Sequence, residues 1–386
     1  MTANIHVIAN SNYNSILIQS SHIYRQTRIW AFLPRIRSDF SPTMATYSAW
    51  FVVRRGLPSK ALELKTGLSI PTKLADGHVL VKVHAVALNP VGYKLMRTLP
   101  DFLDGRPHIA ELDMAGVVVD PNGSEFGVGD KVFGGTPDVK RGTLAEYVVF
   151  PSSALALTPP NVSAVEAAGL AVVNLTAYQT LMTLKIDSGQ TIFINGGSSS
   201  VGMAAIQIAK FMGCKVVATA SGRNKDLLLN LGVDEFIDYT AEPLSERLLK
   251  QPPTPKFHAI YDAAGLTDPA LYLNSTAYLA PDGMYITAGT MPKTGKEFVE
   301  MLRQIFEGMF RPTWLGGVPR EFGVSMVQFE KKSLEIVRDL VAQGALKPKV
   351  DSVHTFDRDG VMQAYEKLMT KHAVGKVVIK VVNENE

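Results

Sequence analysis

Between Thr191 and Ser221 the sequence TIFINGGSSSVGMAAIQIAKFMGCKVVATAS holds residue types that can grip a phosphorylated ligand with backbone alone. An apolar run with strand character, Thr191–Asn195, ends in a small-residue turn and is followed by the apolar spacing of a helix, Val201–Met212. Such a turn presents N–H groups at a helix N-terminus, where the helix dipole favours an anion, and glycine lets that anion approach closely. Gly196, Gly197, Ser198, Ser199, Ser200, Val201 and Gly202 are therefore candidates for the pyrophosphate cradle of a dinucleotide. A second strand, Lys215–Ala220, completes the strand–helix–strand unit and runs into Ser221, Gly222, Arg223, Asn224 and Lys225. A dinucleotide without a 2′-phosphate usually meets an acid here. Arg223 and Lys225 instead suit a 2′-phosphate, with Ser221 able to donate a hydrogen bond and Asn224 beside it.

The elements that must position this turn follow from the apolar spacing. Strands are expected at Glu235–Asp238, His258–Asp262 and Met284–Ala288, and helices at Glu297–Phe310 and Glu330–Gln343, with a loop over Pro312–Gly323. Alternating strands and helices predict an open parallel α/β sheet. Ser163 and Glu166 form a capping-box pattern that opens the helical region. Before it, Ala49–Pro159 consists of short apolar runs separated by Gly, Pro, Asn and Asp, the pattern of a small β-rich, barrel-like lobe. VGKVVIKVV (Val374–Val382) reads as a closing strand, so the chain is expected to finish back in that first lobe. No internal repeat of solenoid period is present.

Composition narrows the function classes. With 386 residues, 46% hydrophobic and 19% charged, the chain can bury large cores, and no apolar run reaches the ~18 residues of a membrane-spanning helix. The net charge of +3 resides in residues 1–43, where Arg25, Arg28, Arg35 and Arg37 face only Asp39. The neutral remainder argues against a nucleic-acid surface. Residues 1–43, rich in Ser, Asn and Arg, read either as an organelle transit segment or as a disordered extension ahead of Met44, so the expected location is cytoplasmic, or mitochondrial if the segment targets. Cys214 is the one cysteine, which excludes an intramolecular disulfide and cysteine-rich zinc sites. GGSSSVG lacks the spacing of a serine-hydrolase elbow, and the sequons at Asn161, Asn174 and Asn274 matter only after secretory passage.

Several spaced segments, VLVKVHAVALNPVGYK, ELDMAGVVVDPNGSEFGVGDKVFGG, GTLAEYVVFP, AAGLAVVNLTAYQTL, the glycine-bearing unit, LGVDEFIDY and AVGKVVIKV, occur in an order that resembles one family. It is the zinc-independent medium-chain dehydrogenase/reductase superfamily, in its quinone oxidoreductase (zeta-crystallin-like) and enoyl reductase branch. The resemblance spans about Met44 to Val382. It implies a GroES-like catalytic domain over 44–164, a Rossmann domain over 165–345 and a return of 346–386 to the first domain, with NADPH in the cleft between them. It further implies hydride transfer to a quinone or to the C=C of an α,β-unsaturated carbonyl.

By the same resemblance Asn89, Tyr93 and Lys94 lie beside nicotinamide and substrate. An ammonium, phenol or amide there would stabilise an enolate oxygen, and Tyr93 or Lys94 could relay the proton. Thr176 matches a nicotinamide-side contact and Tyr239 a tyrosine against the 2′-phosphate. Trp314, Leu315 and Phe322 belong to an aromatic-rich segment that edges the substrate cleft or a subunit contact in the family, and the chain is expected to be a homodimer or a monomer. Zinc-dependent relatives carry a metal-binding cysteine where this chain has Asn89 and Pro90, so no metal is expected. Ser199 and Ser200 replace the Gly pair of quinone reductases; serine restricts positive φ, so the turn geometry is expected to differ, while serine hydroxyls could still bond phosphate. Similar serine-bearing turns occur among fungal trans-acting enoyl reductases. Three readings stay open: a reductase of small quinones or enones, a trans-acting enoyl reductase of polyketide-type biosynthesis, and a weakly active NADPH-binding interaction protein.

Overall fold

The β-branched runs of the first third of the chain fold into two mainly antiparallel sheets. The computed structural model describes residues 46–382 apart from 137, 139–140, 266–268, 289–298, 300–301, 304–305 and 309. The reading of residues 1–43 as an extension lies outside these residues. The strands are β1 (Thr46–Val52), β2 (Leu62–Ser69), β3 (His78–Ala87), β4 (His108–Ile109), β5 (Asp113–Asp120), β6 (Lys131–Gly135), β7 (Tyr147–Pro151) and β8 (Leu155–Leu157). β1 lies between β2 and β4, whereas β3, β5, β6 and β8 pair in series and β7 also pairs with β3. Val79, Val81, Val83 and Val86 of β3 are wholly buried, as the partial alternation of that run requires. Their core includes Trp50, Leu144, Phe150 and Tyr365, and the Trp50 indole N–H donates to Phe356 O at 2.9 Å.

The second half supplies six parallel strands: β9 (Thr191–Asn195), β10 (Lys215–Ala220), β11 (Glu235–Asp238), β12 (Phe257–Asp262), β13 (Leu279–Thr287) and β14 (Glu321–Val324). Their order is β11-β10-β9-β12-β13-β14, every neighbouring pair parallel. This is the order of a dinucleotide-binding Rossmann sheet. Finally β15 (Val350–Thr355) and β16 (Lys376–Lys380) join the first lobe, β16 running antiparallel to β3. The closing strand thus lies in the same sheet as β3, β5, β6 and β8.

Three local expectations need correction. The helical region after Ser163 is two helices, not one: the Ser163–Glu166 capping box starts Ala164–Ala167, and a second helix spans Ala171–Leu184. Gly169 falls at the break, where a Cβ would stand 2.8 Å from Lys376 Cγ. The segment expected as a loop over Pro312–Gly323 contains most of β14, because Phe322 pairs with Tyr285 at the sheet edge. A nine-residue helix, Pro90–Thr98, interrupts the β-rich lobe within a region read from its strand and turn signals. Proline at its first position needs no intrahelical N–H partner, and Tyr93 and Met96 bury its apolar face. The helix expected over Glu297–Phe310 is only partly among the described residues.

Helix Ala171–Leu184 is apolar on nearly all sides, which marks a helix buried all round. Leu175 and Leu181 share one core with Ile192 and Ile194 of the parallel sheet, with Ala205 of the helix Ser200–Phe211, and with Ala85, Ala87 and Ala115 of the β-rich lobe. The two halves therefore meet through packed side chains rather than a solvated linker.

At Gly116 in the β-rich lobe a Cβ would fall 2.2 Å from Lys82 O on the paired strand. Gly116→Ala is expected to destabilise by about 1–3 kcal/mol or more, since backbone cannot yield as a side chain does. Urea denaturation of the two proteins measures it.

Candidate functional site

The carboxyl ends of β9 and β12 form the point where strand order reverses, and such points are where ligands bind open α/β sheets. Buried hydrogen bonds link the strand ends there. Thr219 Oγ1 accepts the N–H of Gly196 at 3.0 Å and donates to Asn195 Oδ1 at 2.7 Å. Asn195 Nδ2 donates to Asp262 Oδ1 at 2.7 Å, and the same carboxylate accepts the Gly265 N–H at 3.1 Å and the Thr287 hydroxyl at 3.0 Å. Asn195, Thr219 and Asp262 were missed by sequence reasoning. Their signal was a polar residue at or near the end of each apolar strand.

Above them, Gly196 has φ +78°, and a Cβ on it would stand 2.8 Å from Ala264 Cβ. A Cβ on Gly202 would stand 2.2 Å from Gly196 O. The turn is thus packed so closely that only glycine fits at these two positions, as the tight turn and close helix packing of a dinucleotide-binding unit require. Ser199 corrects one expectation. With φ −70° and ψ 155° it caps the helix Ser200–Phe211, so it needs no positive φ. Its hydroxyl accepts from Gly202 N–H at 3.0 Å and donates to Gly196 O at 2.8 Å, so it fixes the turn internally. Gly197 is buried, and Ser198, Ser200 and Val201 are half-buried beside it.

At the end of β10, Arg223 and Lys225 are exposed, and one Arg223 N–H reaches Nδ1 of His372 at 3.2 Å. Ser221 and Asn224 bond each other, Nδ2 to Oγ, at 3.3 Å. Tyr239 is 51% exposed at the end of the next strand. Beside them, the Thr240 hydroxyl and N–H, with the Gly222 N–H, hold the Asp238 carboxyl below the usual range.

In the β-rich lobe the candidate residues separate. Asn89 is 2% exposed; its Nδ2 donates to Ala87 O at 3.2 Å and to Asp113 Oδ2 at 3.0 Å, while Oδ1 accepts from Lys376 Nζ at 2.7 Å. Both amide hydrogens are engaged, so Asn89 has none to offer an enolate, a correction to its expected role. Tyr93 is 8% exposed and packs in the lobe's core, and burial pushes its phenol up. Lys94 is half-buried on the same helix. Thr176 donates to Val172 O of its own helix at 2.5 Å. Phe322 stacks on Tyr285 at 5.7 Å and meets Tyr272 edge-on at 4.8 Å, so it is sheet packing rather than substrate wall. Trp314 and Leu315 stand 80% and 53% exposed, away from that packing.

A buried polar cluster around Asn89 was not anticipated. Glu111 Oε2 accepts the Asn89 N–H at 3.0 Å, and Glu111 Oε1 accepts the Tyr365 hydroxyl at 2.6 Å. Glu111 has φ +65°, a left-handed conformation rare outside glycine. Burial pushes its carboxyl up to about 7 against the pull of Tyr365, Asn89 and Lys376. A cavity of about 20 Å³, room for one water, lies between Glu111 and the Asp104–His108 pair. Asp113 is also raised by burial, with Lys376 opposing. The signal in the sequence was AELDMAG, two acids two apart entering an apolar strand. Cys214 is buried, its thiol pushed up to about 11 by desolvation. Among the described residues no group of three or more His, Cys, Asp or Glu is disposed to hold a metal, and no helix is long and apolar enough to cross a membrane.

Comparison with known proteins gives this geometry a family. Residues 75–160 match the alcohol dehydrogenase GroES-like domain and 231–379 the zinc-binding dehydrogenase domain. The chain is 35% identical to the trans-enoyl reductase pgmF of Aspergillus terreus over 83% of its own length and 92% of the relative's. It is 29% identical to a chloroplastic NADPH-dependent alkenal/one oxidoreductase of Arabidopsis thaliana, over 82% and 75%. The solved structure of a quinone oxidoreductase from Coxiella burnetii superposes with a TM-score of 0.72 at 26% identity, over 88% of this chain and all of that one. The chain belongs to the medium-chain dehydrogenase/reductase superfamily, in its quinone oxidoreductase and enoyl reductase branch, and is an oxidoreductase. Family and sheet together imply a nicotinamide cofactor.

Glu111 gives a pH signature. Its folded-state pKa lies above its ordinary 4.5, so the native state binds the extra proton and stability falls as pH rises from about 4.5 to about 7, then levels. Relative to Glu111→Gln, which mimics the protonated form, the parent is expected to lose about 3 kcal/mol across that window. Denaturant titrations of both proteins at pH 4.5, 6 and 8 measure the difference.

Proposed function

We propose that this oxidoreductase uses NADPH, without zinc, to deliver hydride to the C=C of an α,β-unsaturated carbonyl compound or to a quinone. The observation that carries the reading is the Lys376 ammonium, 2.7 Å from Asn89 Oδ1 and 3.2 Å from Asp113 Oδ2, at the position where the sequence resemblance has a zinc ligand in other branches. A cation seated there repels a divalent ion, and amide and ammonium groups are poor zinc ligands. Without a Lewis acid to activate an alcohol or simple carbonyl, the acceptor has to be electrophilic through its own conjugation.

Gly196, Gly197 and Gly202 would hold the pyrophosphate, Arg223, Lys225 and Tyr239 the 2′-phosphate, and Thr176 the nicotinamide side. Bound there, NADPH supplies the hydride. Lys94 stabilises the negative charge that gathers on the acceptor oxygen and, with water, returns a proton to the carbon α to the carbonyl of an enone, or to the oxygen of a quinone. Tyr93, kept protonated by burial, packs the helix that carries Lys94. Similarity to a trans-enoyl reductase and to an alkenal/one oxidoreductase supports this acceptor class.

One feature favours a second reading, in which the enoyl group arrives on a carrier. Leu302, Phe306, Phe310 and Trp314 are 48%, 63%, 64% and 80% exposed and follow one another along the segment after β13. Such a row of large apolar groups suits contact with another macromolecule.

Rates with NADPH and NADH, each with small quinones, small enones and carrier-linked enoyl thioesters, test these readings. Turnover with NADPH and small acceptors, unchanged by chelator, is expected; turnover of carrier-linked substrates alone supports the second reading. A preference for NADH or activity that follows zinc content overturns the corresponding part of the proposal. Arg223→Ala is expected to raise the KM for NADPH about tenfold, one charge-assisted hydrogen bond, and to leave the KM for NADH nearly unchanged. Steady-state kinetics with both cofactors decides it.

A further inference from the structure

Asp113 joins three separate elements through one carboxylate. It is wholly buried, and every side-chain partner is a donor: Val172 N–H to Oδ1 at 2.9 Å, with Asn89 Nδ2 and Lys376 Nζ to Oδ2 at 3.0 and 3.2 Å. Val172 lies in the first turn of helix Ala171–Leu184, which carries Thr176. Asn89 is the N-cap of helix Pro90–Thr98, which carries Lys94. Lys376 starts the closing strand β16 and reaches the carboxylate past Gly169, where any Cβ would obstruct it. One side chain therefore spans the helix assigned to the nicotinamide side and the helix assigned to the acceptor side.

We propose that Asp113 is a positioning residue for hydride transfer, with Lys376 as the counter-ion that lets the carboxylate remain buried there. The inference rests on the reductase reading above. Hydride moves only when donor and acceptor carbons are held at near-attack separation, and a misplacement of about 1 Å costs on the order of 100-fold in rate. A carboxylate bonded to both helices fixes that separation, because shifting either helix breaks a buried charge-assisted hydrogen bond. Neither Asp113 nor Lys376 needs to touch the substrate.

Asp113→Asn tests the role. The amide keeps the shape but replaces one acceptor oxygen by NH2, and with three donors facing it one contact becomes N–H against N–H. The expected result is a kcat lowered on the order of 100-fold, with the Kd for NADPH, read from nicotinamide fluorescence, changed less than about twofold because the glycine turn is untouched. Asp113→Leu combined with Lys376→Met removes both charges and is expected to recover thermal stability, as buried ion pairs replaced by apolar groups often do, while kcat stays low. Wild-type kcat in that stable double variant overturns the proposal. Hydrogen exchange provides a readout without turnover: in Asp113→Asn the amides of 89–93 and of 172–176 are expected to exchange faster together. Unchanged exchange in both segments overturns the positioning role whatever the substrate is. Absence of any NADPH turnover by the wild type, with exchange coupled as expected, counts against the reductase reading and leaves the joint standing.

Discussion

A carboxylate can stay ionised inside a protein only if donors surround it, since removing it from water costs far more than a single hydrogen bond returns. Asp113 meets that condition with an ammonium, an amide and a backbone N–H drawn from three distant parts of the chain. Each donor is in turn held in place by the carboxylate. The start of helix Pro90–Thr98, the first turn of helix Ala171–Leu184 and the closing strand are consequently fixed relative to one another. The apolar core shared by the two halves supplies area, but area alone does not choose a register; a charged joint does.

The same rule operates at the strand ends of the parallel sheet, where the donors are neutral. Thr219, Asn195 and Asp262 pass hydrogen bonds from β10 through β9 to β12 under the glycine turn. These bonds fix the strand ends from which the glycine turn springs. Ser199 contributes by capping the helix that follows. A residue type that looked like a departure from the family pattern is accommodated because the position it occupies has an ordinary extended backbone.

Family membership and site chemistry meet at Asn89. The superfamily's domain names include zinc, yet the position in question holds an amide bonded to an ammonium. Glu111 next to it introduces a group titrating near neutrality, in a left-handed conformation that only the surrounding hydrogen bonds compensate.

Local signals were sufficient for much of this. The glycine turn after TIFIN, the parallel strands that flank it, the capping box at Ser163 and the closing strand all follow from periodicity and from residues close in sequence, where a few dihedrals and neighbours set the outcome. The resemblance of the spaced segments indicated the family for the same reason: each segment is locally constrained. What the linear order did not disclose is how long-range partners are shared. Lys376 and Asn89 lie 287 positions apart, Tyr365 and Glu111 254. Whether Asn89 faces a substrate or a lysine, and whether Phe322 lines a cleft or stacks in a sheet, depends on which side chains the fold brings within 3 to 6 Å. Hydrogen bonding and stacking decay over a few ångströms, so only the closed tertiary structure could decide them.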